Sequence, residues 1–273
     1  MTARATATPV GAHTSRGAPP VWWVVMKQEL LELWAGGRIL NFLVLFTLLM
    51  SLTAFLLATN TELHLLDPEQ TVVVALTSAL TFGLFIGLAI GAESISGERE
   101  RATLEPLLLT PSGNRQLVLG KFLAALSPWP AAMALTLPYM AALSQGHQVL
   151  GEAVLWGALS GTLLAGAFVA LAMMVSIWSN SSRLSLFVCL LVYAASLIPA
   201  QLPTEFLASP GGVLITLLDP VESSDQLLSK VLTSGEPLSQ AWPYLASPAI
   251  ALALALGALF GYAAPRLRLM AHG

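Results

Sequence analysis

Six stretches of this chain contain no Asp, Glu, Lys or Arg: Ile39–Ala58, Thr71–Ala92, Phe122–Leu143, Ala153–Trp178, Leu184–Ala200 and Leu245–Ala264. The hydrocarbon core of a bilayer is about 30 Å thick, and a helix needs about 20 apolar residues to cross it. Each stretch is close to that length. Lipid offers no partners for backbone N–H and C=O groups, so segments of this kind fold as helices. Only 10% of the 273 residues are charged, against about 25% in soluble domains. The polar stripe of a soluble helix is missing throughout. The fold class expected is therefore an all-α membrane protein with six transmembrane helices. The fifth span is the shortest and is expected to run on toward Pro203.

The placement of Lys and Arg orients the spans. Arg4, Arg16, Lys27 and Arg38 precede span 1. Arg99, Arg101, Arg115 and Lys121 lie between spans 2 and 3, Arg183 between spans 4 and 5, and Arg266 and Arg268 after span 6. Of the 12 basic residues only Lys230 falls on the other side, where Glu62, Asp67, Glu69, Glu152, Glu205, Asp219, Glu222, Asp225 and Glu236 also lie. Both termini are thus expected to be cytoplasmic, with the chain crossing a bacterial inner membrane.

Residues 1–20 are rich in Ala, Thr, Pro and Gly and have no apolar block for a signal peptide, so a disordered tail is expected. Residues 21–38 read as an amphipathic interfacial helix. Trp23, Met26, Leu30, Leu33 and Trp34 share one face and Gln28, Glu29 and Glu32 another, and Trp22, Trp23 and Trp34 suit a membrane surface. The six-span domain occupies 39–265, and 266–273 forms a second cytoplasmic tail.

Small residues recur every fourth position. Gly83, Gly87 and Gly91 do so in span 2, Gly157, Gly161 and Ala165 in span 4, and Gly257 and Gly261 in span 6. This spacing lets helix backbones approach closely, and the contacts are expected within one subunit. Pro128, Pro130 and Pro138 are expected to bend span 3. Between spans 5 and 6, Glu205–Leu218 is apolar but too short to cross and is interrupted by Pro210-Gly211-Gly212. Ser223–Thr233 reads as a small amphipathic helix. Short outer helices are expected there.

The spans hold no ionisable group to carry a coupling proton or sodium ion, which argues against a secondary carrier. His13, His64, His147 and His272 all lie outside them, so nothing is placed to activate Ser160. Cys189 is the single cysteine, and no Cys/His metal spacing occurs. The G-x-x-x-x-G-K-[ST] phosphate loop is absent. Active transport would need energy from a partner.

The most informative segment follows span 2: Glu93-Ser-Ile-Ser-Gly-Glu-Arg-Glu-Arg-Ala-Thr-Leu-Glu-Pro-Leu-Leu-Leu-Thr-Pro111. Gly97 can end the span. Glu98 with Arg101, and Arg101 with Glu105, have helical pairing distances. Thr103 can cap a short helix with Glu105 and Pro106 in its first turn, and Leu104, Leu107 and Leu108 then share a face. A charged-then-apolar helix leaving the membrane suits a knob docking into a partner's groove.

This segment resembles the loop of ABC-2-type transporter permeases, which typically reads E-x-x-x-G-E-R-E-x-G-T-L-E-x-L-L-x-T-P. The matching residues are Glu93, Gly97, Glu98, Arg99, Glu100, Thr103, Leu104, Glu105, Leu107, Leu108, Thr110 and Pro111. Ala102 departs from the pattern, where glycine is usual. The resemblance implies a coupling helix seated in a cleft of a separate ABC ATPase, with Arg101 also on the docking surface. It implies a second permease subunit, identical or paralogous, and a substrate path between the two. The chain itself would be no enzyme and hold no cofactor, with ATP and Mg on the ATPase. Charge-free spans give a bare ion no grip, so an exported hydrophobic or amphipathic cargo is expected. The alternative is a membrane anchor or signalling subunit coupled to the same ATPase. Nothing points to nucleic acid.

Overall fold

The computed structural model describes residues 19–59, 67–104, 113–144, 149–199, 202–203, 205, 209–236 and 238–267. Its elements are helical: α1 (Val21–Ala35), α2 (Arg38–Thr59), α3 (Pro68–Glu93), α4 (Ser96–Glu100), α5 (Asn114–Leu126), α6 (Pro128–Leu143), α7 (Val149–Trp178), α8 (Ser182–Ser196), α9 (Pro210–Leu218), α10 (Pro220–Leu232) and α11 (Leu238–Ala258), followed by a π-turn at Leu259–Ala263 and a 3₁₀ turn at Ala264–Arg266. Among the described residues five helical segments are long and apolar enough to cross a membrane: Arg38–Thr59, Pro68–Glu100, Asn114–Leu143, Leu150–Trp178 and Gln240–Arg266. The fifth expected span is shorter than the sequence suggests. Helix α8 ends at Ser196 after 15 residues, which is about 22 Å at 1.5 Å per residue.

Helix α3 is the central post. It packs on α2, α6, α7 and α8, and an unbroken run from Ile86 to Ala92 is buried. Its glycines explain how. A Cβ added at Gly83 would lie 2.8 Å from the Trp129 ring of α6. One at Gly87 would lie 3.0 Å from Val169, and one at Gly91 3.0 Å from Ala172, both on α7. From the other side, a Cβ at Gly157 would meet Leu76 at 2.6 Å, and one at Gly161 would meet Trp129 at 2.1 Å. The notches on α3 and α7 therefore face a neighbour, as small residues at helix contacts do. Trp129 fills the space between them, and its Nε1 donates to Thr162 Oγ1 at 3.1 Å.

Gly257 and Gly261 behave differently. Both are exposed, and an added Cβ would meet nothing within 4 Å. Packing within the chain, expected from their spacing, does not occur, because α11 turns that face outward. Close approaches occur instead at Gly166, beside Leu252 of α11, and at Gly120, beside Trp22 O and Val25 of α1.

Helices α2 and α11 form the rim. The buried residues of α2 are Ile39, Leu43, Phe46, Met50 and Leu57, a single stripe at helical spacing. Leu40, Val44, Leu48, Leu52 and Phe55 point outward. Several hydroxyls in the spans are satisfied by their own helices: Thr47 donates to Leu43 O, Thr53 to Leu49 O and Ser160 to Trp156 O, as apolar surroundings favour. Span 3 breaks at Ser127, where Pro128 opens α6.

Helix α1 packs on α5 by only part of the face grouped in the sequence. Leu33 is buried and Leu30 packs on the core, while Trp23 and Trp34 are exposed. Glu29 also turns inward, to an ionic partner on α5.

The segment after α8 also differs. Pro210-Gly211-Gly212 starts a helix rather than interrupting one: Ser209 Oγ accepts from Gly212 N at 3.1 Å, and Pro210 takes the first-turn position that needs no N–H. Helix α10 begins at Pro220, with Asp219 accepting from Val221 N and Glu222 N. It is not a surface helix. It packs on α3, α7, α9 and α11, with Ser223, Ser224, Leu227 and Leu228 fully buried.

Candidate docking site

The end of α3 shows how the Glu93–Pro111 segment is held. The helix yields at Ser94, whose hydroxyl turns back to Gly91 O, and the chain restarts as α4. The backbone N–H groups of Ile95 and Ser96 at this break both donate to Ser176 Oγ of α7, at 3.1 and 2.9 Å. A single buried hydroxyl thus replaces the lost intrahelical partners.

Every charged residue of the described motif meets another element. Glu93 pairs with Arg38 at the start of α2. Glu98 accepts from Lys121 Nζ at 2.5 Å, and Glu29 of α1 accepts from the same ammonium at 2.5 Å. The Lys121 side chain is 1% exposed and its two partners are 17% and 20% exposed. Arg99 donates to the carbonyls of Ser179 and Ile177 at the end of α7, and Glu100 accepts from Ser182 N at the start of α8, at 2.9 Å. Arg101 reaches only Glu32, at 3.7 Å, with both side chains more than half exposed.

Several expectations change here. Glu98 pairs with Lys121 rather than with Arg101, because burial of α4 against α5 brings them together. Lys121, expected at the edge of the loop, lies well inside α5. Leu104 is 2% exposed and belongs to the bundle core, so it is no outward knob. Gly97 is buried, with Ser182 Oγ 3.5 Å from where a Cβ would stand. Thr103 N and Oγ1 both donate to Glu98 O, closing the turn after α4. Ala102 has φ +55°, so the backbone keeps the left-handed bend that glycine would adopt more readily. Glu105, Leu107, Leu108, Thr110 and Pro111 lie outside the described residues. Sequence reasoning missed Lys121, Ser176 and Ser182. The clue for Lys121 was its position one residue before an apolar span, while the serines carry no such mark.

Elsewhere, an apolar cavity of about 340 Å³ opens between α2 and α3. Phe42, Phe46, Phe82, Phe85 and Leu49 line it, with Tyr193 of α8 at its side.

A family model described as ABC-2 family transporter protein matches residues 23–264, nearly the whole described structure. The chain belongs to the ABC-2 transporter family. It is 36% identical over 106 residues to the probable ABC transporter permease protein NosY of Pseudomonas aeruginosa. That stretch is 38% of this chain and 38% of NosY, so the curated relative is matched over less than half its length. An ABC-2 permease subunit is a multi-pass membrane component of a transporter, and members of this family work with ABC ATPase subunits.

Proposed function

We propose that this ABC-2 permease exports a hydrophobic or amphipathic cargo, driven by a separate ATPase that docks on the 93–111 loop. The observation that carries the reading is the base of that loop. Its charged residues tie it to α1, α2, α5 and the α7–α8 turn, so a push on the loop is borne by the bundle instead of being absorbed in a slack connection. Arg101 is left exposed for a partner, and Glu105 follows it in the loop. The aromatic and aliphatic lining of the cavity between α2 and α3 suits an apolar cargo. Two permeases, identical or paralogous, flank the path in this reading. Both termini are cytoplasmic, in a bacterial inner membrane.

The test is co-purification with an ABC ATPase expressed alongside. Arg101→Glu combined with Glu105→Arg is expected to abolish the complex and the stimulation of ATP hydrolysis. An intact, stimulated complex would refute docking at this loop. Export is checked in vesicles: ATP-dependent movement of an amphipathic dye must appear and must vanish when the ATPase cannot bind ATP. A stable complex that moves no such probe would favour the anchor reading.

A further inference from the structure

The adjacent residues Arg99 and Glu100 bear opposite charges and address the two sides of one turn. Arg99 donates from both terminal nitrogens to Ser179 O and Ile177 O, where α7 ends. Glu100 accepts from Ser182 N, where α8 begins. A helix C-terminus carries partial negative charge and an N-terminus partial positive charge. The order Arg-Glu therefore matches the order in which the chain leaves α7 and enters α8. Reversing it would oppose both helix ends.

Ser176, in the last turn of α7, makes the second link. Its hydroxyl accepts from Ile95 N and Ser96 N and lies 3.2 Å from Ser96 Oγ. Ser96 Oγ in turn approaches Ser182 Oγ at 3.5 Å. Ser96 and Ser176 are fully buried and Ser179 is 8% exposed. Buried hydroxyls held this way resist sliding, since any displacement strands a donor or acceptor away from water. The α3–α4 break and the α7–α8 turn are thus joined at both ends of α4.

We infer that Ser176, Arg99 and Glu100 are positioning residues that transmit movement of the 93–111 loop to α7 and α8. The inference rests on the reading that an ATPase docks on that loop. It adds a route: α7 and α8 move with the loop because hydrogen bonds cross the gap, although 78 to 82 residues of chain separate the partners.

Hydrogen exchange of the permease–ATPase complex, with and without ATP, tests it. In the unmodified complex ATP should change exchange both in 93–112 and in 171–190. Ser176→Ala lies outside the docking surface. It should leave the complex, its ATP hydrolysis and the change in 93–112 in place, while the ATP-dependent change in 171–190 falls by about fivefold or more, the lower end of ordinary coupling between sites. Ser176→Thr keeps the hydroxyl and should restore it. Arg99→Gln should produce the same loss in 171–190, which provides a second variant if Ser176→Ala does not accumulate. Should the ATP-dependent change in 171–190 survive in these variants, or be missing from an unmodified complex whose 93–112 segment does respond, the transmission route is wrong. If the unmodified 93–112 segment gives no ATP response, the docking reading itself fails, and the inference with it.

Discussion

Replacing Lys121 by methionine should be among the most damaging single changes in this protein. The ammonium is almost wholly out of solvent and holds two carboxylates, Glu29 of α1 and Glu98 of α4, each at 2.5 Å. Methionine keeps the length and apolar stem of lysine, so packing changes little. What is lost is the charge that compensates two acids, both more than three-quarters shielded, lying side by side. Removing one partner of a buried pair costs about 3–5 kcal/mol. For a chain of this size each kcal/mol moves an unfolding midpoint by about 2–4 °C, so Lys121→Met should lower it by about 6–20 °C. The seven tryptophans make intrinsic fluorescence in detergent a direct readout. Raising the salt concentration should not rescue the variant, since buried charges are little screened. Lys121→Met with Glu29→Leu and Glu98→Leu removes the whole ionic group and should recover most of the loss, as apolar replacement of buried ion pairs often does. The reasoning is refuted if Lys121→Met unfolds within about 2 °C of the parent, a shift worth no more than about 1 kcal/mol.

Other changes test separate features. Ala102→Gly relieves a left-handed alanine, and after allowing for the greater freedom of unfolded glycine it should stabilise the fold by about 0.5–1 kcal/mol; a lower midpoint would show that the alanine methyl is needed. Gly161→Ala drives a methyl into Trp129 and Leu80 and should cost about 1–3 kcal/mol, whereas Gly257→Ala, with open space around it, should leave the isolated chain's midpoint unchanged or slightly raised. Asp225 of α10 accepts from Thr77 Oγ1 at 3.2 Å, and burial, reinforced by Glu222 and Asp219, pushes its pKa up to about 7. Its neutral form is the one the fold favours. Stability from this group is therefore full below the unfolded carboxyl value near 4 and is lost as pH rises through 7. Unfolding midpoints in detergent from pH 4 to 8 should fall with pH, and Asp225→Asn should flatten that slope.

How much of this could be read from the sequence depends on whether the cause is local. The bundle helices follow from runs of apolar residues and needed no tertiary information. The left-handed bend at Ala102 was legible only in part, since the motif usually has glycine there and the alanine left the local bend open. The role of Glu98 was not legible. Three- and four-residue spacing pointed to Arg101, but the partner comes from α5, and only the packed fold brings them together. The glycines of α3 and α7 fall at close approaches because both helices lie inside the bundle. The same pattern failed on α11, because spacing describes a face and not what stands opposite it. The amphipathic helix expected at Ser223–Thr233 forms as α10, but how deeply it is buried was not legible, for a similar reason. Its amphipathic composition suits a surface, yet α3, α7 and α11 surround it.

The indole of Trp129 has a consequence beyond packing. It is 5% exposed, while Trp23, Trp34, Trp178 and Trp242 are exposed. It sits where α3, α6 and α7 come nearest, in notches with no room for a methyl. Any stroke that parts these helices must admit water or lipid to that ring and shift its emission. The permease therefore carries its own optical gauge of bundle opening, with no label attached.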